Sequence, residues 1–180
     1  MRIVNAALSG ILVLEPKVFK DARGFFFENY NRRAFRDAGI DAEFVQDNHS
    51  RSTCNVLRGL HYQIAQPQGK LVSVIIGEIF DVAVDLRRSS PTFGQWFGTR
   101  LSAENRLAAW IPEGFAHGFL VVSDVAEVLY KTTDYYAPQY ERCLRWDDPD
   151  LAIAWPLTGE PLLSAKDAVG VQLCDAECFG

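Results

Sequence analysis

The sequence has no long hydrophobic segment and no run of like charges. No apolar stretch approaches the length needed to span a membrane, and the N-terminus has no signal-peptide pattern, so a cytoplasmic protein is expected. The net charge of −5 is spread over many short patches, which argues against a broad basic face for nucleic acid. We therefore expect no nucleic acid and no membrane as partners. An anionic ligand would have to be bound by a few individual arginines and lysines.

Cysteine is scarce, and its spacing is not that of a metal site. The four cysteines are Cys54, Cys143, Cys174 and Cys178. The last two form a C-x-x-x-C pair with no matching second pair, so a zinc site there has little support. Free thiols in a reducing compartment are expected, and the sequence assigns no role to Cys174 or Cys178.

Most of the secondary-structure signals in the sequence are those of β-strands. Hydrophobic residues make up 48% of the 180 residues and aromatics 12%, which indicates one folded domain over residues 1–180. Many short apolar runs separated by turn residues predict a β-sandwich or barrel of the jelly-roll type. The predicted strands are Ile11–Leu14, Phe25–Tyr30, Phe44–His49, Leu57–Gln63, Leu71–Ile76, Ile79–Leu86, Gly98–Leu101, Ala108–Ile111, Gly118–Val122 and Glu127–Thr132. Gly77-Glu78, between two of these runs, predicts a hairpin.

Helical signals are few and lie near the ends of the chain. Asn31 can cap a short helix that ends at Gly39. Ser164-Ala165-Lys166-Asp167 has the spacing of a capping box, and a cap role alone would explain Asp167.

The segment Leu57–Gln63 combines apolar strand residues with potential catalytic groups. It contains Arg58 and His61, and Lys70 follows shortly after. Strand alternation places His61 on the same face as Leu57 and Gly59. A base, a guanidinium and an ammonium close together suggest proton abstraction from a negatively charged substrate.

Downstream, Pro112-Glu113-Gly114-Phe115-Ala116-His117 is similar to the second sequence motif of the cupin barrel, P-x-G-x-x-H. The first cupin motif normally contains H-x-H, but His61-Tyr62-Gln63 stands here, so the second histidine is missing. A tight metal site would need two further ligands that we do not find in the sequence. The predicted fold is an all-β cupin-type jelly roll with short helical segments, and no metal is expected.

Three other segments have both a structural and a functional interpretation. Arg23 could clamp a phosphate or could form a solvated pair with Glu28. The three phenylalanines between them cannot all face one side of a strand, which favours an oligomer. His49 follows amides that suit sugar or base recognition, or it caps a loop. Tyr130 and Tyr136 could pack at the barrel rim, donate a proton or stack on a nucleobase.

Taken together, these motifs resemble the dTDP-4-dehydrorhamnose 3,5-epimerase family over almost the whole chain. The matching segments are Leu14–Phe19, Arg23–Glu28, Phe44–Ser50, Leu57–His61, Ser90–Trp96, Trp110–Phe119 and Leu163–Asp167. The resemblance implies a homodimeric, metal-free and cofactor-independent cupin-type enzyme. Its substrate would be a dTDP-sugar, dTDP-4-keto-6-deoxyglucose, and its product the rhamnose precursor.

The same resemblance implies roles for individual residues. His61 would be the general base, Asp167 its orienting carboxylate, Lys70 the group beside the C4 carbonyl and Tyr130 the acid on the opposite face. Tyr136 would stack on thymine. The remaining positions that match substrate-binding residues are Arg23, Glu28, Gln46, Asp47, Asn48, Arg58, His117, Glu141 and Lys166.

Three alternatives remain at this point. Enzymes that invert only C3 or only C5, in antibiotic-sugar pathways, share the catalytic residues. A non-catalytic cupin that binds nucleotide sugars would need no acid and base. A metal-dependent cupin would need a metal in stoichiometric amount.

Overall fold

The computed structural model describes residues 1–180, which form thirteen strands, one short α-helix and three 3-10 turns. The strands are β1 (Arg2–Ala7), β2 (Ile11–Glu15), β3 (Phe19–Asp21), β4 (Gly24–Phe26), β5 (Gln46–Thr53), β6 (Leu57–Gln63), β7 (Lys70–Ile76), β8 (Glu78–Asp85), β9 (Trp96–Ser102), β10 (Ala108–Ile111), β11 (Phe115–Val121), β12 (Val125–Thr132) and β13 (Glu141–Cys143). The helix α1 spans Arg32–Asp37, and the 3-10 turns are Pro138–Tyr140, Asp167–Val169 and Leu173–Asp175. None of the helices has the length and apolar character needed to cross a membrane.

Two antiparallel sheets face each other, as the jelly-roll prediction requires. The six-stranded sheet has the order β1-β2-β10-β7-β12-β5, and the five-stranded sheet has the order β13-β6-β11-β8-β9. Strands that are neighbours in sequence are often in different sheets, and this arrangement closes a sandwich around one interior. The predicted all-β cupin-type fold is confirmed.

The main core lies between the two sheets. Thirteen buried residues form it, with Val72 and Val128 from the six-stranded sheet meeting Ile79, Leu101 and Val121 from the other. Full burial of an aliphatic side chain of this kind stabilises the fold by roughly 1.5–3 kcal/mol. The strand alternation that fills this core also turns the intervening polar side chains either outward or into the open end of the sandwich.

Smaller cores cover the outer faces of both sheets. Phe35 of α1 is fully buried and packs with Leu14 and Leu71 on the six-stranded sheet. Leu151 and Ala176, in the C-terminal part of the chain, pack on the five-stranded sheet. The C-terminal segment thus continues past the barrel and returns against it, which brings Asp167 within reach of the interior.

The predicted hairpin at Gly77-Glu78 is wrong. β7 pairs with β10 and β12, whereas β8 pairs with β11 and β9, so the turn joins the two sheets instead of two partner strands. Gly77 has a φ of +74°, and a Cβ there would lie 1.9 Å from the Val125 carbonyl oxygen. Two apolar runs around a glycine give the same local signal for a hairpin and for a crossover, because only the pairing partners differ.

Other differences lie at the ends of strands. Ala108–Ile111 and Leu57–Gln63 match the prediction, but the strand expected over Phe25–Tyr30 ends at Phe26. β1, β3 and β13 were not predicted. They lie at sheet edges or in a two-stranded hairpin and do not show the apolar pattern of the core strands.

The two capping predictions have different outcomes. The Asn31 side chain accepts a hydrogen bond from the Ala34 backbone N–H at 3.2 Å, which confirms the start of α1. At the other end of the chain, the Ser164 hydroxyl accepts from the Asp167 N–H at 3.2 Å, but only a 3-10 turn follows. A helix cap therefore does not account for the carboxylate of Asp167.

Candidate active site

A pocket of about 400 Å³ opens at one end of the sandwich, between the two sheets. It is lined mostly by polar side chains. Eleven of the residues singled out in the sequence line it: Gln46, Asn48, Arg58, His61, Lys70, His117, Tyr130, Tyr136, Glu141, Lys166 and Asp167. A concave site with converging titratable groups is the usual form of an enzyme active site.

His61 and Asp167 form a close pair in this pocket. His61 Nε2 lies 2.5 Å from Asp167 Oδ1, although the two residues are 106 positions apart. The side chain of His61 is 25% exposed, whereas that of Asp167 is nearly buried. In the tautomer in which Nε2 carries the proton and donates it to the carboxylate, Nδ1 is free to accept a proton.

The carboxylate of Asp167 is held in its ionised form. Burial opposes its charge, but hydrogen bonds from His61 and Ser164 outweigh burial and lower the pKa of Asp167 below its usual value. The Ser164 hydroxyl donates to Oδ2 at 2.7 Å, and the Gly59 N–H approaches Oδ1 at 3.4 Å. Both carboxylate oxygens are thus fixed, which keeps the imidazole of His61 in one orientation.

Close backbone packing places His61 in its strand. Gly59 has a φ of +123°, and a Cβ there would lie 2.5 Å from the Gly118 Cα on β11. The register of β6 and β11 shifts at this point, and His117 lies opposite His61. Glycine at position 59 therefore lets the two strands approach closely beside His61.

Lys70 is buried at the floor of the pocket. Its ammonium donates a hydrogen bond to the His61 carbonyl oxygen at 3.1 Å. Burial lowers the pKa of Lys70 to about 8, and the negative charges of Asp81 and Glu141 partly oppose that shift. A desolvated cation of this kind stabilises negative charge that develops on a substrate oxygen.

Tyr130 lies on the opposite sheet from His61. The tyrosine is on β12 of the six-stranded sheet, and the histidine is on β6 of the five-stranded sheet. Burial raises the pKa of Tyr130, and the nearby Arg58 partly offsets this. The phenol is thus protonated at neutral pH and lines the pocket on the sheet opposite His61.

The residues at the cupin motif positions do not fit a metal of the usual cupin kind. Gln63, in place of the second histidine, donates from Nε2 to the Gln66 carbonyl and accepts at Oε1 from the Ala137 N–H. His117 Nε2 lies 2.8 Å from the buried carboxylate of Asp81. Because these side chains are already bonded to protein groups, they do not form a set of free metal ligands at that position.

Polar pairs surround the mouth of the pocket. Glu141 accepts from Lys166 at 2.6 Å and from the Tyr136 hydroxyl at 2.9 Å, and these bonds hold its pKa below the usual range in spite of burial. On β5, the Gln46 amide donates to Asn48 at 2.8 Å. The Tyr136 ring is more than half exposed at this mouth.

Three predicted site residues do not line the pocket. Arg23 is on the exposed β3–β4 hairpin, where its guanidinium pairs with Asp21 at 2.6 Å and its side chain is 90% exposed. Glu28 accepts from Asn31 on the same side of the chain, so the proposed Arg23–Glu28 pair does not form. Asp47 lies on the face of β5 opposite to that of Gln46 and Asn48, and its carboxylate pairs with Lys131.

Several pocket residues were not identified from the sequence. They are Ser50, Tyr62, Gln63, Gln68, Phe119 and Ser164. The hydroxyl of Ser50 is buried and has no hydrogen-bond partner. Its position two residues after Asn48 is a signal that could have revealed it, because alternate residues of a strand share one face.

The structure is a cupin-type jelly-roll sandwich whose pocket holds a carboxylate-paired histidine, a buried lysine and a tyrosine on the opposite sheet, which are groups suited to an enzyme that transfers protons. Comparison with known proteins makes this specific. Residues 5–175 match the family described as dTDP-4-dehydrorhamnose 3,5-epimerase. The chain belongs to this family, whose members are isomerases.

Individual relatives agree with this assignment. The dTDP-4-dehydrorhamnose 3,5-epimerase of Pseudomonas aeruginosa is 62% identical over 180 residues, with 99% of each chain covered. A dTDP-6-deoxy-D-glucose-3,5-epimerase from Legionella pneumophila, solved in complex with dTDP-4-keto-L-rhamnose, has a TM-score of 0.95 and 52% identity, covering 98% of this chain and 94% of that one. A dTDP-4-dehydrorhamnose 3-epimerase of Streptomyces niveus is 40% identical and covers 100% and 87% of the two chains.

Proposed function

We propose that this chain converts dTDP-4-keto-6-deoxy-D-glucose into dTDP-4-keto-L-rhamnose by inverting C3 and C5, a step of dTDP-L-rhamnose biosynthesis. The observation that carries the proposal is the 2.5 Å pair between His61 and the buried Asp167 inside the pocket. The family and the relatives that are more than half identical support inversion at both carbons over inversion at one.

The first step breaks a C–H bond next to the C4 ketone. His61 Nδ1 takes the proton, and the bonding electrons move into a carbon–carbon double bond and onto the C4 oxygen. The charged ammonium of Lys70 stabilises this oxyanion, and such preorganised charge contributes roughly 3–4 kcal/mol. Asp167 stabilises the imidazolium that forms, because it remains a carboxylate.

The second step returns a proton from the other face. Inversion requires an acid and a base on opposite sides of the sugar ring, and Tyr130 and His61 are on strands of opposite sheets. The Tyr130 phenol gives its proton to the carbon while the C4 carbonyl re-forms. Before the pair acts at the second carbon, His61 releases its proton to solvent and Tyr130 regains one. The sugar ring also adjusts in the pocket.

The mouth of the pocket supplies groups for the nucleotide. Tyr136 offers an exposed ring for stacking on thymine, and Lys166 and Arg58 offer positive charge for the diphosphate. His117, Gln46, Asn48 and Glu141 are the remaining polar groups proposed to hold the substrate. No cofactor is needed for this chemistry.

A homodimer is part of the proposal. Phe25 and Phe26 of the β3–β4 hairpin are exposed, the latter by 67%, and Arg23 at its tip lies outside the pocket of its own chain. We propose that this hairpin packs on a second copy and delivers Arg23 and Glu28 to the partner's pocket. The unpaired cysteines support the expected cytoplasmic location.

The experiment that tests the function is proton NMR of dTDP-4-keto-6-deoxyglucose with the protein in deuterium oxide. Deuterium at both C3 and C5, together with a rhamno-configured product, is expected. Exchange and inversion at one carbon would point to a mono-epimerase of an antibiotic-sugar pathway. Absence of exchange at either carbon would leave a binding protein and contradict the proposal.

The His61→Ala variant serves as the matched control. It should lose exchange at both carbons, because the imidazole proposed to take the proton is removed. Binding of dTDP, measured by calorimetry, should change little, since the nucleotide groups remain. Substantial residual exchange in this variant would remove His61 from the role of base.

A further inference from the structure

Cys143 lies beside the His61–Asp167 pair and completes a set of three potential metal ligands. β13 pairs with β6 so that Cys143 is directly opposite His61. One ligand atom from each of Cys143, His61 and Asp167 lies within 4.8 Å of the other two. The fold therefore brings two further potential ligands to His61, and no sequence motif reveals one of them, Cys143.

We propose that His61, Asp167 and Cys143 form a binding site for a thiophilic divalent cation of the zinc class, and that its occupation inhibits the enzyme. This site shares His61 with the usual cupin position but differs from it in its other ligands, because Gln63 and His117 do not take part. The ion acts as an inhibitor and has no part in the epimerisation.

The geometry of the three side chains is close to that of a zinc site. Zinc ligands lie roughly 2.0–2.2 Å away for nitrogen and oxygen and about 2.3 Å for sulfur, in a tetrahedron. Such a centre needs neighbouring ligand atoms about 3.2–3.6 Å apart. The His61–Asp167 pair at 2.5 Å must open by roughly 1 Å, and the Cys143 sulfur, which lies within 4.8 Å of both ligand atoms, must move closer by at most about 1.5 Å. Rotation of the partly exposed His61 ring supplies the first of these movements.

The ligand chemistry selects the kind of cation. A thiolate, an imidazole and a carboxylate match zinc, cadmium or cobalt, whereas magnesium and calcium prefer oxygen alone. Binding releases the thiol proton of Cys143 to solvent, and the His61 proton moves from Nε2 to Nδ1 when Nε2 binds the ion. The fourth position of the ion faces the pocket and would hold a water molecule.

The charges around the site are nearly balanced. Lys166 is paired with Glu141 at 2.6 Å, and Lys70 is near Asp81 and Glu141. These lysines are the groups that oppose a cation, and each has a carboxylate nearby. A divalent cation that displaces the thiol proton raises the charge of the pocket by one unit, and the ion with the thiolate and the Asp167 carboxylate is then neutral overall.

Inhibition follows directly from the identity of the ligands. A metal ion on the imidazole prevents His61 from accepting a proton, and it removes Asp167 from its orienting hydrogen bond. The inhibitory part of the inference rests on the proposed function, whereas the binding part does not. Metal binding is therefore measured first, without substrate.

The test uses cobalt as a spectroscopic probe and zinc as the calorimetric ligand. Metal-free protein titrated with Co²⁺ should bind one ion per chain and develop the absorption band of a cobalt–thiolate bond. The Cys143→Ser variant should lose this band and bind Zn²⁺ more weakly by on the order of tenfold or more. The Cys174→Ser variant, which removes an exposed thiol elsewhere, should behave like the wild type.

The same variants separate binding from catalysis. Metal-free Cys143→Ser should retain epimerase activity and become resistant to Zn²⁺, while the wild type should be inhibited and recover with a chelator. Cys143→Ala, checked for folding by circular dichroism, repeats the test if the serine variant is unstable. A thiolate band that persists without Cys143, or no metal binding at all, would overturn the inference. Metal binding with normal activity would overturn its inhibitory part.

Discussion

At the scale of single residues, the site depends on where each side chain lies relative to the sugar. His61 and Tyr130 are on different sheets, so one can remove a proton while the other supplies one from the opposite face. Proton exchange needs only the base, whereas inversion needs both groups. The two activities can therefore be separated by changing one residue.

Tyr130→Phe tests this separation. We expect epimerisation to fall by roughly 10²–10⁴-fold, the usual contribution of a general acid. Deuterium exchange at the sugar carbons should fall much less, because His61 and Lys70 remain. The two rates are read from the same NMR time course in deuterium oxide. An equal loss of both would argue against an acid on the opposite face.

Lys70 should control the alkaline limit of activity. Burial lowers its pKa to about 8, so the ammonium is charged at pH 7 and loses its proton as the pH rises above about 8. Turnover should fall over that range, since a neutral amine stabilises the enolate oxygen far less. In Lys70→Arg the guanidinium remains charged, so residual activity should no longer decline near pH 8. The measurement is the pH profile of kcat for both proteins. If kcat of the variant still declines near pH 8 as in the wild type, deprotonation of Lys70 is not the cause of that decline.

The same lysine should reduce the stability of the folded protein. The pKa of Lys70 in the folded protein is about 8, below the usual lysine value of 10.5. At pH 7 the charged ammonium therefore has a higher free energy in the folded chain than in the unfolded chain, which lowers the stability of the fold. The shift is worth about 3 kcal/mol, and the lost hydrogen bond to His61 offsets about 1 kcal/mol.

Lys70→Met should therefore be more stable than the wild type by about 2 kcal/mol at pH 7. This advantage should shrink as the pH rises from about 8 to 10.5 and the wild-type lysine loses its proton. Urea unfolding at pH 7 and at pH 10 measures both effects. A variant that is less stable at pH 7 would contradict the argument.

At the scale of elements, the crossover at Gly77 decides which strands share a sheet. A side chain at this position would collide with the backbone of Val125, which begins β12, and with the Ser123 hydroxyl at 2.4 Å. The same hydroxyl accepts from the Glu78 N–H at 2.8 Å and ties the start of β8 to the turn before β12. The turn at Gly77 is therefore constrained both by its left-handed backbone and by close contacts with the segment that precedes β12.

Gly77→Ala should reduce the free energy of unfolding by about 3 kcal/mol or more, because a left-handed backbone and a steric clash act together. Gly39→Ala is the matched control. Gly39 has a φ of +88°, but nothing lies within 4 Å of the place that a Cβ would occupy, so only the backbone cost of about 1–2 kcal/mol applies. Denaturant unfolding of both variants provides the comparison. Equal losses would show that the clash at Gly77 relaxes without cost.

The success of the sequence predictions also varies from element to element. Central strands such as β6 and β10 were predicted within their observed bounds, because burial on a sheet face produces a strong apolar pattern. The edge strand β13 was missed because Glu141, Arg142 and Cys143 show no such pattern. Yet β13 carries Glu141 to the pocket and Cys143 to the side of His61.

At the scale of the whole molecule, the proposed dimer would make each site depend on two chains. The exposed hairpin that carries Arg23 cannot serve its own pocket in the observed conformation. Its exposed phenylalanines offer apolar surface to a partner. If the partner's pocket receives this hairpin, then base and arginine come from different subunits.

Subunit mixing tests this arrangement. His61→Ala and Arg23→Ala proteins should each have little activity, but a heterodimer of the two should contain one site with both an intact base and an intact arginine. Mixing after mild unfolding and refolding should therefore restore a substantial fraction of wild-type turnover. If each chain used its own Arg23, both sites of the heterodimer would be defective and mixing would restore nothing. Light scattering of the wild type provides the mass of the assembly.

The sequence by itself determined the all-β fold class, most central strands, the start of α1 and the residue types of the pocket. Each of these follows from signals a few residues long, such as alternation in β6 or the cap at Asn31. Only the tertiary structure decided that the Asp167 carboxylate lies 2.5 Å from His61 Nε2, that the chain crosses between sheets at Gly77 and that Cys143 lies beside His61. Those facts depend on which distant segments pair, and a local pattern does not specify its partner.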